Sequence, residues 1–129
     1  MRRTLAFILG FALGANSLWM LAAPDTWYHA VPNVANTGPI NLHFIRDIGC
    51  AYFVAAFGLF WLARSPLRAW PAALAGGAFL ALHAMVHVWD FAVGREHAHG
   101  FLTDLPAVFL PAILTLWLAW PPSRGLRME

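Results

Sequence analysis

Three polar side chains share one stripe of an otherwise apolar stretch. His83, His87 and Asp90 lie at positions i, i+4 and i+7 between Trp70 and Val93, which places them on one face of a helix. Ionisable groups at membrane depth cost about 2 to 4 kcal/mol each and normally face a bundle interior, a partner or a cavity. Imidazoles and carboxylates bind metals and accept protons, so this stripe is the first candidate for function.

The composition indicates that this stripe lies in lipid. The chain has 129 residues, of which 60% are hydrophobic and 11% are charged, and a soluble domain of this size needs more polar surface. Four apolar stretches of about 20 residues could each span a bilayer: about 4–23, 44–63, 70–93 and 104–120. The sequence therefore predicts an all-α, polytopic membrane protein, with residues 1–129 forming a single four-helix transmembrane domain.

Arginine placement predicts the orientation of this bundle, because cytoplasmic loops carry the excess of positive charge. The basic residues are all arginines, and only Arg46 and Arg95 fall on one face. The other face carries Arg2, Arg3, Arg64, Arg68, Arg124 and Arg127. Both termini are therefore predicted to lie in the cytoplasm. Since no basic patch forms on one folded surface, we expect no nucleic-acid partner.

The amino terminus has features of a secretory signal peptide, with Arg2 and Arg3 ahead of an apolar run. We expect it to be retained, because the run exceeds the usual length of about 7 to 15 residues. The ending Leu21-Ala22-Ala23 also lacks a small residue at the first cleavage-site position. The mass of the mature protein would decide, since cleavage would leave three spans.

The predicted topology gathers polar residues in the outer half of the bundle. His43 and Asp47 lie four residues apart near the outer start of the second helix, and the third helix ends on the same side. Asn16 of the first helix is predicted to lie at a depth similar to that of His87. The inner half is nearly free of polar side chains.

A metal site is the most specific hypothesis for this cluster. His83 and His87 lie one turn apart, and Asp47 from the facing helix would complete a set of two histidines and one carboxylate. Asn16 or Asp90 could then orient an imidazole. A transition metal is favoured over haem, because the first and fourth predicted spans contain no histidine. A haem shared between two copies stays open.

Two alternatives to a metal site also stay open. Polar packing alone would pair Arg46 with Asp90 or Asp47. It would satisfy His83 and His87 through hydrogen bonds to Asn16, Ser17 or backbone carbonyls of other helices. A proton relay or a small-molecule pocket would use the same side chains.

Two smaller polar features lie near this cluster. His97 and His99, with Glu96, form a second patch in the predicted outer loop, where they could capture a metal or give protons access. Cys50 is the only cysteine and is expected to be a small packing residue.

Boundary signals and small residues predict how the helices begin and pack. Asn41 is a predicted cap for the second helix, and Thr103 or Asp104 for the fourth, in which Pro111 should produce a kink. The first outer connection, residues 24–41, is apolar enough to lie over the bundle as a lid. Small residues allow close helix approach, within this chain or with another copy: Gly10 and Gly14, and Ala73, Gly77 and Ala81.

One segment carries a family resemblance. The run Asn41-Leu42-His43-Phe44-Ile45-Arg46-Asp47-Ile48-Gly49, followed by Tyr52 and Gly58, resembles the second helix of the small DoxX-like four-helix membrane proteins. The resemblance implies a bacterial inner-membrane protein with both termini inside. Some members of such families are linked to quinone-dependent sulfur oxidation. The stripe of His83, His87 and Asp90 matches no pattern of these families.

Together these features lead to one functional hypothesis and its rivals. The hypothesis is a metal- or cofactor-assisted, redox-associated membrane protein with a pocket in its outer half. The rivals are a non-catalytic accessory subunit of a membrane complex, or a small transporter. The expected partners are the lipid bilayer and either a second copy of the chain or another membrane subunit. No sequence feature indicates a particular reaction.

Overall fold

The computed structural model describes residues 1–95 and 97–120, and this part of the chain is helical without any strand. The helices are α1 (Arg2–Ala22), α2 (Pro24–Ala30), α3 (Leu42–Arg64), α4 (Pro66–Ala92), α5 (Ala98–Asp104) and α6 (Leu110–Ala119). A π-helix, Leu105–Phe109, joins α5 to α6, so that Ala98–Ala119 forms one continuous span. A short 3-10 helix, Val34–Asn36, lies in the first connection.

Four helices are long and apolar enough to cross a membrane, which confirms the predicted all-α multi-pass class. They are α1, α3, α4 and the continuous fourth span. The observed bounds differ most from the predicted ones at the starts of α4 and of the fourth span. Pro66 occupies the first turn of α4, where its missing N–H removes no helical hydrogen bond, so α4 begins four residues before the predicted Trp70.

The two helix starts that were predicted to be capped differ in outcome. The Asn41 side chain accepts a hydrogen bond from the Phe44 backbone N–H at 3.0 Å, which confirms the cap of α3. The fourth span instead begins at Ala98, so the prediction that Thr103 or Asp104 caps it is wrong. Both side chains have other partners: the Asp104 carboxylate lies within hydrogen-bond distance of the His87 ring on α4, and the Thr103 hydroxyl donates to the His99 carbonyl at 2.9 Å.

Glycines set the closest approaches between spans, and their neighbours belong to the same chain. A Cβ on Gly10 of α1 would lie 3.3 Å from the Ala56 carbonyl oxygen of α3. A Cβ on Gly76 of α4 would lie 2.8 Å from the Ala55 Cα of α3. The spans therefore pack in the order α1, α3, α4 and fourth span, whereas the first and fourth spans share few contacts.

The fourth span contains its irregularity before Pro111 rather than at it. Pro111 lacks an N–H, and its ring would clash with the carbonyl of Ala107 four residues earlier. The preceding segment, Leu105–Phe109, is a π-helix, whose wider turn relieves such a clash. This widened turn directly follows Asp104, the last residue of α5.

The first connection is tied to the bundle by side-chain hydrogen bonds. Trp27 of α2 donates from Nε1 to the Asn16 Oδ1 of α1 at 2.9 Å. Asn33 donates from Nδ2 to the Gly100 carbonyl of α5 at 3.2 Å. We call the end of the bundle that carries α2 and α5 the outer end, following the orientation that the arginines predict.

Candidate functional site

A histidine and an aspartate from two different spans form the shortest side-chain contact between ionisable groups in the described part of the chain. The Nδ1 atom of His87 on α4 lies 2.7 Å from the Oδ2 atom of Asp104, which is a hydrogen-bond distance. Only 22% of the His87 side chain and 9% of the Asp104 side chain are exposed. This distance is typical of a charge-assisted hydrogen bond. We refer to these two residues as the His87–Asp104 pair.

The backbone positions this pair without help from any loop. His87 lies five residues before the end of α4 at Ala92, which corresponds to a depth of about 8 Å below the outer end. Asp104 ends α5, and the π-helix that follows it changes the direction of side chains relative to a regular helix. The carboxylate therefore faces α4 rather than water.

A second histidine extends the polar stripe inward among aromatic rings. The His83 ring lies one turn below His87, with ring centroids 4.9 Å apart and an interplanar angle of 77°. Phe79 stacks on His83 at 6.1 Å. Tyr52 of α3, which is buried, meets the same ring edge-on at 5.9 Å. His83 is thus the inner neighbour of the His87–Asp104 pair.

Another buried hydroxyl lies further inward on the fourth span. Thr115 has no exposed surface, and its Oγ1 has no hydrogen-bond partner among residues 1–95 and 97–120. A Cβ on Gly77 of α4 would lie 3.2 Å from the Thr115 methyl group. Since Gly77 is six residues from His83, Thr115 lies about 9 Å further inward along α4.

The other site residues predicted from the sequence have separate partners. The His43 Nε2 lies 3.4 Å from the Asp47 Oδ2, and both side chains are mostly exposed. Asp90 accepts from Arg95 at 3.4 Å. Asn16 of α1 accepts a hydrogen bond from Trp27 of α2. Arg46 of α3 donates to the Leu21 carbonyl of α1 at 3.3 Å. Of the proposed metal ligands, the structure brings together His83 and His87 but gives Asp47 a different neighbour.

The described residues therefore do not support the metal hypothesis. Among residues 1–95 and 97–120, no group of three or more histidine, cysteine, aspartate or glutamate side chains is arranged to hold a metal ion. His83 and His87 supply two imidazoles, and the carboxylate next to them is Asp104, which is bonded to the His87 Nδ1. A carboxylate in that position orients a histidine rather than providing a further ligand.

Sequence reasoning missed Asp104 as a site residue. The sequence pattern places it at the start of the fourth span as a cap, whereas the span begins six residues earlier. A usable signal existed, because an intramembrane histidine needs a hydrogen-bond partner and Asp104 is the acidic residue that borders the fourth apolar stretch. Tyr52 stands out in the sequence only through the family resemblance, and its buried contact with His83 was not predicted.

Three minor expectations also change. Cys50 is exposed rather than packed, because α3 turns that side away from its neighbours. His99 lies in the first turn of α5 rather than in a loop, and Glu96 falls outside the described residues. Ser17, a possible partner of the histidines, instead donates to the Gly49 carbonyl at 2.8 Å.

Comparison with known proteins identifies no relative of this chain. No protein-family model, curated protein or solved structure matches it. The resemblance of residues 41–49 to the DoxX-like proteins therefore stays a prediction, and the function has to be inferred from the site.

Proposed function

We propose that this chain is a multi-pass membrane protein that takes up protons at its outer side through the His87–Asp104 pair and passes them inward along its third and fourth spans. The observation that carries the proposal is the part-buried 2.7 Å hydrogen bond between these two side chains. It replaces the metal-centred hypothesis, because two histidines remain where three ligands were expected.

Charge balance at membrane depth favours a proton shared within the pair. An ionised carboxylate there is costly unless it is paired, and the His87 imidazole lies 2.7 Å from the Asp104 carboxylate. A proton shared along a short hydrogen bond keeps the pair close to neutral.

Polar groups continue inward from the pair. His83 lies beside His87, and the buried Thr115 hydroxyl lies further inward. The innermost of these groups, Thr115, lies at the level of Gly77, which is fifteen residues from the outer end of α4 at Ala92. The groups therefore reach about 22 Å below the outer end. Ordered water between polar groups can join such a chain when it has polar partners on both sides. The side chains that are buried beyond Thr115, including Leu62, Ala69 and Leu118, are apolar, so we expect proton passage through the inner part of the bundle to be slow.

A flux measurement in vesicles tests the proposal. Purified protein is reconstituted in vesicles that contain a pH-sensitive dye, and a potassium diffusion potential drives proton entry. We expect wild-type vesicles to acidify faster than protein-free vesicles, and Asp104→Asn or His87→Phe to reduce the protein-dependent rate at least tenfold. Thr115→Val should reduce it as well, since it removes the inner hydroxyl.

The chain offers a matched control. His43 and Asp47 form another histidine–aspartate pair, exposed and near the outer end, so His43→Phe with Asp47→Asn removes the same chemistry from a different place. This control should leave the flux unchanged. Wild-type vesicles as tight as protein-free ones, or equal losses in the control, would contradict the proposal.

Elemental analysis of the same preparation separates the competing hypotheses. A stoichiometric transition metal that is lost in both His83→Ala and His87→Ala would restore the metal hypothesis. A non-catalytic accessory subunit, whose pair only stabilises the bundle, would be favoured by a different combination of results. The protein would fold normally, contain no metal and leave the vesicles as impermeable to protons as protein-free vesicles.

A further inference from the structure

All four spans converge on one groove at the inner end of the bundle, opposite the His87–Asp104 pair. The groove encloses about 220 Å³. Its floor consists of the buried apolar side chains Ala6, Leu62 and Leu118. Its rim is formed by Arg2, Arg3, Trp70 and Trp120. We call this feature the inner groove.

One of the two arginines is fixed by the structure. The Arg2 Nη2 donates to the carbonyl of Trp117 at 2.9 Å and to that of Leu118 at 3.1 Å. Its guanidinium also lies 5.1 Å from the centroid of the Trp117 ring, a cation–π distance. These contacts satisfy carbonyls at the end of α6 and hold the guanidinium at the rim, while only one of its nitrogen atoms is used among the described residues.

The second arginine brings a further charge that no acidic side chain among residues 1–95 and 97–120 compensates. Arg3 is exposed, and no described residue forms a hydrogen bond or an ion pair with its side chain. The residues that line the inner groove include no acidic side chain. The rim therefore carries two positive charges over an apolar floor.

We infer that the inner groove binds the phosphate group of an anionic phospholipid, with the lipid chains against its apolar floor. Guanidinium groups match the geometry of phosphate oxygens, and tryptophans favour the headgroup level of a membrane, where Trp70 and Trp120 lie on the rim. Anionic lipids of the cytoplasmic leaflet attract basic residues at this level. The inference does not depend on the His87–Asp104 pair.

Lipid titration into detergent-solubilised full-length protein, followed by native mass spectrometry, tests this inference. Phosphatidylglycerol and phosphatidylcholine are compared, since they share the phosphate and differ in net charge. We expect tighter binding of phosphatidylglycerol, and a loss of about fivefold in its affinity for Arg3→Gln, the size expected for one basic residue at an anionic surface. Arg3→Lys should retain part of the affinity, because it keeps the charge but loses the planar fork.

Arg68 provides the matched control. It lies on the same end of the bundle, in the first turn of α4, is exposed and does not line the inner groove. Arg68→Gln should leave the affinity for phosphatidylglycerol within a factor of about two of wild type, since it lies outside the groove. Equal losses in Arg68→Gln and Arg3→Gln would show general surface attraction and overturn the inference.

The relative affinity of the two lipids and competition by inorganic phosphate are also decisive. Equal affinity for the two lipids would overturn the inference, because the rim charges would then make no contribution to binding. Displacement of bound phosphatidylglycerol by inorganic phosphate at equal concentration would assign the groove to a soluble anion instead of a lipid. Retention of the lipid in the presence of phosphate supports the inference, because only a lipid also contacts the apolar floor.

Discussion

The interaction between His87 and Asp104 can be measured as a coupling free energy. In His87→Leu, Asp104 keeps a carboxylate whose side chain is 9% exposed and which has lost its partner. Breaking a buried ion pair in this way costs about 3 to 5 kcal/mol, and we expect about 3 kcal/mol because the carboxylate can become protonated. In Asp104→Leu, a histidine that is 22% exposed remains, and an unsatisfied neutral group costs about 1 to 3 kcal/mol.

The double variant, His87→Leu with Asp104→Leu, should be more stable than the sum of the single effects predicts. Replacing both members of a buried pair by apolar residues is often nearly neutral, so we expect a total loss of about 1 kcal/mol. The resulting coupling is about 3 to 5 kcal/mol, well above the average of about 0.6 kcal/mol for hydrogen bonds between membrane helices.

Reversible unfolding in mild detergent, titrated with a denaturing detergent and followed by tryptophan fluorescence and circular dichroism, supplies the four free energies. The exposed pair of His43 and Asp47 is the control, and its coupling should be about 0.5 kcal/mol or less. Additive effects of His87→Leu and Asp104→Leu would refute the conclusion that the two side chains form a buried, strongly interacting pair.

Further predictions concern the packing of the spans and a buried hydroxyl. Gly76→Val should destabilise the bundle by about 3 kcal/mol, near the upper end for overpacking, because a Cβ at this position would lie 2.8 Å from the Ala55 Cα. Unfolding titrations should show no comparable loss for Gly14→Ala, because a Cβ at that position would have no neighbour closer than 3.7 Å. Ser17→Ala should cost about 1 kcal/mol, since the hydroxyl donates a buried hydrogen bond at 2.8 Å. Thr115→Val should be neutral or stabilising in the same assay, because its hydroxyl has no partner among the described residues; a loss above that of Ser17→Ala would show that the hydroxyl is satisfied in the membrane.

Much of the fold follows from the sequence because membrane spans are dictated by length and hydropathy. The four spans, the Asn41 cap and the placement of both described chain ends at the inner end could all be predicted. Gly10 and Gly77 indicated close helix approach, but a small residue does not specify its neighbour. The packing that the structure shows, with α3 between α1 and α4, requires the three-dimensional arrangement.

The site was predicted only in part. The contacts of a polar residue depend on where its helix begins and on which face of the helix the residue lies. His83 and His87 were correctly placed on one stripe, since a spacing of four residues determines their face. The start of the fourth span was misplaced by six residues, which moved Asp104 out of the bundle and left the histidines without a partner. Asp47 was then assigned to them, although its position next to His43 on an exposed face suits a local pair within α3.

Infrared difference spectroscopy of the protein in lipid films tests the central claim most directly, namely that protons enter the bundle through the His87–Asp104 pair. Spectra at high and low pH should show a carboxyl band and an imidazole band that change together over the same pH range. Both changes should be lost in His87→Phe and in Asp104→Asn, and kept in the variant that lacks His43 and Asp47. A carboxyl band of Asp104 that persists unchanged in His87→Phe, or an Asp104 that shows no protonation change between the two conditions, would contradict the account.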